Sequence, residues 1–290
     1  MKISDRTFLI SGGSSGLGLA TAELLYSQGA YIALLDLNPP PSSSPISNRT
    51  ATAFFTTDVS STESIAAAVG KTVKWASSSK KPIGGVICCA GIGYAEKLLP
   101  RQPKGTTSAT VKMMDLARFD RVLNINLRGT VDLIRQVTPH MSLNEPEGPD
   151  GERGVIIMVS SVAAFEGQVG QLAYSASKGA VRSIVLPLAR ELGQSCGVRV
   201  TAIAPGVFET GMTMKSKTGA RTGGQTAAQK GDAEKKAKGV GAVNREMVNY
   251  PVRMGRGNEF ARFCKEIIEN PMLNGDCYRL DGGVRMPSRL

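Results

Sequence analysis

A chain of 290 residues with 41% hydrophobic composition is long enough for one large α/β core or two small ones. Its formal net charge of +11 points to anionic partners such as nucleotides, coenzyme A, nucleic acid or a membrane surface. A lone histidine, His140, argues against a histidine-built zinc site and against a Ser-His-Asp hydrolase, and no metal site is expected.

The opening Met1–Arg6 lacks the residues of a secretory signal or an Arg-rich transit peptide, and no apolar run approaches the ~20 residues of a bilayer span. No membrane insertion is expected. The first predicted strand is Thr7–Ser11, followed by Gly12-Gly13-Ser14-Ser15-Gly16-Leu17-Gly18 and a helix over Leu17–Gln28. Glycines 12, 16 and 18 make a G-x-x-x-G-x-G turn whose backbone can approach a pyrophosphate at a helix N-terminus. Gly12, Ser15 and Leu17 are the candidate contacts there. The same residues match the G-x-S-x-G nucleophile elbow, but that reading needs a late histidine and none follows His140. The second strand, Tyr31–Asp36, ends on a carboxylate suited to the adenosine ribose hydroxyls and hostile to a 2′-phosphate. With no Arg or Lys in the glycine turn or in Leu37-Asn38, the predicted cofactor is NAD rather than NADP.

After a Pro/Ser-rich loop, Pro39–Asn48, comes strand Ala53–Thr56 and then Asp58-Val59. Those two residues flank an adenine, or else Asp58, Ser60 or Ser61 caps the helix over Ser61–Ala76. Strand Gly85–Cys89 runs into Ala90-Gly91, and a helix over Asp115–Met141 carries Asn124-Ile125-Asn126. Beyond the Glu145–Arg153 turn, strand Gly154–Ser160 ends at Ser160-Ser161, at the edge of the sheet where α/β active sites form. A helix over Leu172–Gly193 places Tyr174 and Lys178 at i and i+4, on one face. A phenol with reference pKa ~10 is a poor base at neutral pH, and a nearby ammonium favours its phenolate. Strand Arg199–Ala204, helix Asn258–Glu269 and strand Cys277–Leu280 complete the pattern. Strands alternating with helices predict a Rossmann-type, doubly wound parallel sheet of about seven strands, in a single domain over 1–290.

The stretch 206–250 is too long for a passive connection and is the candidate substrate loop. Seven Lys/Arg lie between Lys215 and Lys238 against Asp232 and Glu234, which suits a polyanion or a solvated surface. The five cysteines, Cys88, Cys89, Cys196, Cys264 and Cys277, show no CxxC spacing and read as reduced thiols.

The order of glycine turn, Asp36, Cys89-Ala90-Gly91, Asn126, Ser161, Tyr174, Lys178 and Pro205-Gly206 resembles the short-chain dehydrogenase/reductase family from about Thr7 to Met286. The resemblance implies that Tyr174 gives and takes the proton, while Lys178 tunes it and holds the nicotinamide ribose. It implies that Ser161 hydrogen-bonds the substrate oxygen and that Asn126 holds a water joining Lys178 to solvent. Cys89, Asp58 and Val59 fall among the cofactor contacts, and Phe208 and Thr210 are expected to close over the nicotinamide. Cys88 departs from the pattern, standing where the family carries Asn, and that puts the local strand support in question.

The strings Ser161–Gln171, Asn144-Glu145-Pro146, Ile267–Pro271 and Leu280–Met286 are similar to the 3-hydroxyacyl-CoA dehydrogenase branch of the family. That likeness implies NAD-dependent interconversion of (S)-3-hydroxyacyl-CoA and 3-oxoacyl-CoA in fatty-acid β-oxidation, by a homotetramer. Gln168 joins Ser161 and Tyr174 as a substrate contact. Phe165, Leu172, Phe208, Met212 and Met214 are candidates for an acyl slot, or ordinary core. The loop after Thr210 departs from the branch. The alternatives are an NAD-dependent hydroxysteroid or other secondary-alcohol dehydrogenase and, from another class, a polyanion-binding scaffold. Against the scaffold stand the intact catalytic residues, and scattered aromatics at 5% disfavour nucleic acid as a partner. The C-terminal Ser288-Arg289-Leu290 resembles a peroxisomal signal and predicts the peroxisomal matrix, with cytoplasm or mitochondrion as alternatives.

Overall fold

The computed structural model describes residues 1–210 and 248–286. Seven parallel strands pair in the order β3-β2-β1-β4-β5-β6-β7. They are β1 Thr7–Ser11, β2 Tyr31–Asp36, β3 Thr52–Thr56, β4 Ile83–Cys88, β5 Gly154–Val159, β6 Val198–Pro205 and β7 Cys277–Leu280. Side chains alternate across such a sheet, so both faces need cover. Along β5, Ile156 and Met158 face one layer, while Val155 and Ile157 face the other. The first layer is closed by α2 (Thr62–Ser79), α4 (Gly129–Ser142), α5 (Leu172–Ser183) and α6 (Val185–Cys196), through residues such as Ile65, Val137, Val181 and Val185. The second is closed by α1 (Gly16–Ser27) and α7 (Gly257–Glu269), through Ala22, Leu25, Phe260 and Ile267. Because β1 lies between β2 and β4, the chain winds outward in both directions from it, and a crevice opens beyond the C-terminal strand ends.

Two predicted helices are each divided. The Asp115–Met141 helix becomes α3 (Leu116–Leu123), a π-helical stretch over Asn124–Arg128, and α4. Asp115 caps its start by accepting the Ala117 N–H. The Leu172–Gly193 helix breaks at Ile184 into α5 and α6. Pro187 explains the break, since its ring crowds the Ser183 carbonyl and it brings no N–H to the ladder. β4 starts two residues earlier than expected and stops at Cys88, leaving Cys89 in the turn above it. The five cysteines are free thiols. Among the described residues, no helix is long and apolar enough to cross a membrane.

Candidate active site

A cleft of about 580 Å³ lies at the C-terminal ends of β1, β2, β4 and β5, within the size range of small-molecule sites. At one end the glycine turn is sterically required. Gly12 has φ +66°, and a Cβ there would come within 2.9 Å of Ala90 Cα. A Cβ on Gly18 would stand 2.2 Å from the Gly12 carbonyl oxygen. This tight packing brings the N-terminus of α1 to the cleft. Ser15 occupies its N-cap position without a side-chain cap, and its first turn holds no acid. The first-turn amides are therefore left for an anion, as a dinucleotide pyrophosphate requires.

Asp36 sits at the end of β2 on the cleft wall, where Oδ2 accepts the Ser14 N–H (3.1 Å) and Oδ1 accepts that of Asn38 (3.4 Å). Asp58 and Val59 line the same end. Ser61, not Asp58, caps α2 by accepting the Ser64 N–H at 3.1 Å. The Asp58 Oδ1 instead accepts from Ser60, from Oγ at 2.6 Å and from N–H at 2.8 Å, which holds its carboxyl below the usual range. Leu17, Cys89, Phe208 and Thr210 also border the cleft. Burial pushes the Cys89 thiol up to about 12, so it is inert as a nucleophile. Phe208 is packed edge-on against Phe260 at 6.3 Å, so it enters the wall as an anchored core ring rather than a movable cover. Thr210 lies over Gly16, whose Cβ would meet it at 3.6 Å. These groups fit a dinucleotide. Arg121 lines the cleft too, on α3 beside Asp58, and sequence reasoning missed it.

At the other end stand Ser161, Tyr174 and Lys178. Ser161 follows β5, accepts the Ala163 N–H at 3.1 Å and stands across the cleft end from the Tyr174 phenol. Burial raises the phenol's pKa, and the Ser161 hydroxyl pulls it down. Lys178 is buried, with Nζ 5.8 Å from the Tyr174 ring centroid and donating to the Val159 carbonyl at 2.8 Å. Burial lowers its pKa to about 8. Ser160 Oγ donates to the Lys178 carbonyl at 2.8 Å, tying α5 to the end of β5.

Asn126 is fully buried in the π-helical stretch, behind the cleft wall rather than on it. Its Oδ1 accepts the Ile92 N–H (2.8 Å), and its Nδ2 donates to the Ile92 carbonyl (2.9 Å) and Ser177 Oγ (3.1 Å). Asn126 thus clamps the turn above β4 onto α5, while Asn124 points elsewhere, toward the Ser60 carbonyl. That turn needs no Asn at position 88. Ser11 accepts the Cys89 N–H on its carbonyl (3.0 Å) and the Ala90 N–H on its hydroxyl (3.3 Å), and Cys88 fills the core.

Three expected residues lie off the cleft. Gln168 is not on its wall, and its Nε2 is buried with no hydrogen-bond partner among the described residues. Phe165, an acyl-slot candidate, is instead stacked between the guanidinium groups of Arg182 (4.3 Å) and Arg279 (5.0 Å). Leu172 is half exposed at the start of α5. Met212, Met214, the basic Lys215–Lys238 segment, most of the 206–250 loop and Ser288-Arg289-Leu290 lie outside the described residues. His140 is exposed in the last turn of α4, away from the cleft.

Residues 6–221 match the short chain dehydrogenase family model. The chain is 40% identical over 284 residues to the 3-hydroxyacyl-CoA dehydrogenase type-2 of Bos taurus, covering 96% of this chain and 94% of that protein. It is 29% identical over 290 residues to the ipsdienol dehydrogenase of Ips pini, covering 98% and 99%. Among solved structures it resembles a 3-hydroxyacyl-CoA dehydrogenase type-2 from Mycobacterium avium, with a TM-score of 0.78, 26% identity and full coverage of both chains. The chain belongs to the short-chain dehydrogenase family and is an oxidoreductase of that family.

Proposed function

We propose that this enzyme interconverts (S)-3-hydroxyacyl-CoA and 3-oxoacyl-CoA with NAD as its cofactor. The observation that carries the chemistry is one cleft with the uncapped N-terminus of α1 and Asp36 at one end and Ser161, Tyr174 and Lys178 at the other. Asp36 would hold the adenosine ribose hydroxyls, the α1 amides the pyrophosphate, and Lys178 the second ribose. Bound there, NAD supplies the hydride acceptor or donor. Tyr174 takes the proton from the carbinol hydroxyl as its C–H bond breaks, and returns it in the reverse direction. Ser161 donates a hydrogen bond to the same oxygen. Burial disfavours the phenolate, and a Lys178 ammonium one helix turn away would favour it by charge. Asn126 holds the wall against α5 and so fixes the pair.

Two observations favour an acyl-CoA. Relatives of high similarity carry that substrate in their names. The irregular segment before α3 carries Lys97, Arg101, Lys104 and Lys112 with no acid between them, and the Glu96 N–H to Gly170 carbonyl bond (2.8 Å) ties its start to the stretch between Ser161 and Tyr174. Four cations suit coenzyme A phosphates. Initial rates of NAD reduction with (S)-3-hydroxybutyryl-CoA, its R enantiomer and a hydroxysteroid test the reading. Fast oxidation of the S thioester alone is the expected result, and turnover of the steroid alone would move the substrate to the secondary-alcohol class. The ending Ser288-Arg289-Leu290 supports a peroxisomal site of action. An N-terminal fluorescent fusion should leave peroxisomes when Leu290 is deleted, and an unchanged distribution would refute that assignment.

A further inference from the structure

Ser161 and Tyr174 must keep a fixed spacing, and the chain between them is held locally only by turns, such as the Glu166 N–H to Val162 carbonyl bond (2.9 Å) and the Gln171 N–H to Gln168 carbonyl bond (2.9 Å). After the short 3-10 turn Val162–Ala164, regular structure resumes at Leu172. Val169 in this bridge is 62% exposed. Beyond those turns, the Glu96 N–H to Gly170 carbonyl bond and the Arg182 stack on Phe165, the bridge is anchored by the far end of the chain. Glu166 Oε1 pairs with Arg279 Nη1 at 2.8 Å, and Oε2 accepts the Met286 N–H at 2.9 Å. Arg279 is braced in turn by Asp281 (2.7 Å) and the Val284 carbonyl (2.8 Å). The Phe165 ring stacks on the same guanidinium. Val162, next to Ser161, packs with Val248, Val284 and Met286 in a small cluster separate from the main core. The bridge is thus attached at residues 162, 165 and 166 to the segment 279–286.

We propose that Glu166 is a positioning residue for the reaction: its carboxylate latches the Ser161–Tyr174 bridge onto the C-terminal segment, so that residues 279–286 set the spacing of the two reacting hydroxyls. Arg279 outweighs partial burial and keeps the carboxyl below the usual range, with the Met286 amide and Arg285 assisting, so the latch is charged at neutral pH. Substrate and cofactor need not touch Glu166. Its effect runs through the placement of Ser161, which sits at the same cleft end as the Tyr174 phenol and pulls its pKa down. This inference rests on the roles proposed above for Ser161 and Tyr174.

Glu166→Ala and Glu166→Gln in the full chain test it, with thermal melts, NADH titration, amide hydrogen exchange and acetoacetyl-CoA reduction measured side by side. In Glu166→Ala, exchange over residues 161–172 should speed up about tenfold and kcat should fall about tenfold, with the NADH Kd within about twofold of the parent. The pH profile of the alcohol-oxidising direction should move to higher pH as Ser161 drifts from the phenol and its lowering influence is lost. Glu166→Gln keeps an acceptor for the Met286 N–H but loses the charge that pairs with Arg279, so both losses should be intermediate, which keeps the test decisive if the alanine variant folds poorly. Unchanged exchange and kcat in both variants, or a loss of NADH affinity in parallel with kcat, would overturn the latch. If the parent enzyme does not reduce acetoacetyl-CoA, the substrate reading fails, and hydrogen exchange still decides the latch.

Discussion

The two ends of the cleft are built by different means. The adenosine end is mostly backbone: a glycine turn pressed against Ala90, the uncapped first turn of α1, and Asp36 held by two neighbouring amides. The proton-transfer end is side chain. Lys178 is 5% exposed and Asn126 0%, and each needs fixed partners because an unpaired buried polar group is costly. The first end is organised around the β1-α1-β2 unit, with Ala90, Asp58 and Arg121 brought to it from beyond. The second draws on β5, the π-helical stretch, α5 and the C-terminal segment, and it tolerates the burial of a lysine for the sake of chemistry.

Removing the acid/base should show the separation most strongly. Tyr174→Phe is expected to cut turnover by about a thousandfold while leaving NADH affinity within about twofold, measured by initial rates at 340 nm and fluorescence titration. At the other end the pattern should invert. Asp36→Ala would lose the ribose contacts proposed above, so kcat/KM for NADH should fall about ten- to thirtyfold with kcat at saturation little changed. NADPH should become a better competitor, because the carboxylate that repels a 2′-phosphate is gone.

The smallest effect is on stability. The Lys178 pKa falls from 10.5 to about 8 on folding. The unfolded chain therefore binds more protons between those values, and stability from this group rises with pH across that window. Below about pH 8 the full desolvation cost is present. Lys178→Met should remove it, less the bond to the Val159 carbonyl, for a net gain of about 1–2 kcal/mol at pH 7. Denaturant titration at pH 7 and pH 10 checks the sign. The variant should be the more stable at pH 7, with the difference shrinking at pH 10, while catalysis is lost.

The same contrast governs what was legible from sequence. The glycine turn, Asp36 and the Tyr174–Lys178 pair rest on local spacing, and they stand where that spacing puts them. The strand pattern likewise yielded the seven-stranded parallel sheet, because buried parallel strands read as short apolar runs. Features made by distant segments left no local trace. Arg121 reaches the adenosine end from α3, which a scan of the residues around Asp36 does not cover. The π-helical stretch kept the apolar period of the flanking helices and read as one continuous helix. Phe165 looked like a pocket residue because it sits in an apolar string, whereas its partners Arg182 and Arg279 arrive from α5 and β7. Arg199 is the extreme case, a guanidinium on a buried strand that pairs with Glu152 at 2.6 Å and caps the carbonyls ending α7.

The most direct test titrates NADH into the parent enzyme, Tyr174→Phe and Asp36→Ala, following binding and acetoacetyl-CoA reduction in the same samples. Two separately built ends predict that the tyrosine variant binds NADH normally without turning over, and that the aspartate variant binds weakly yet approaches parental turnover at saturation. A tyrosine variant that loses NADH, or an aspartate variant that stays slow when saturated, would contradict the account.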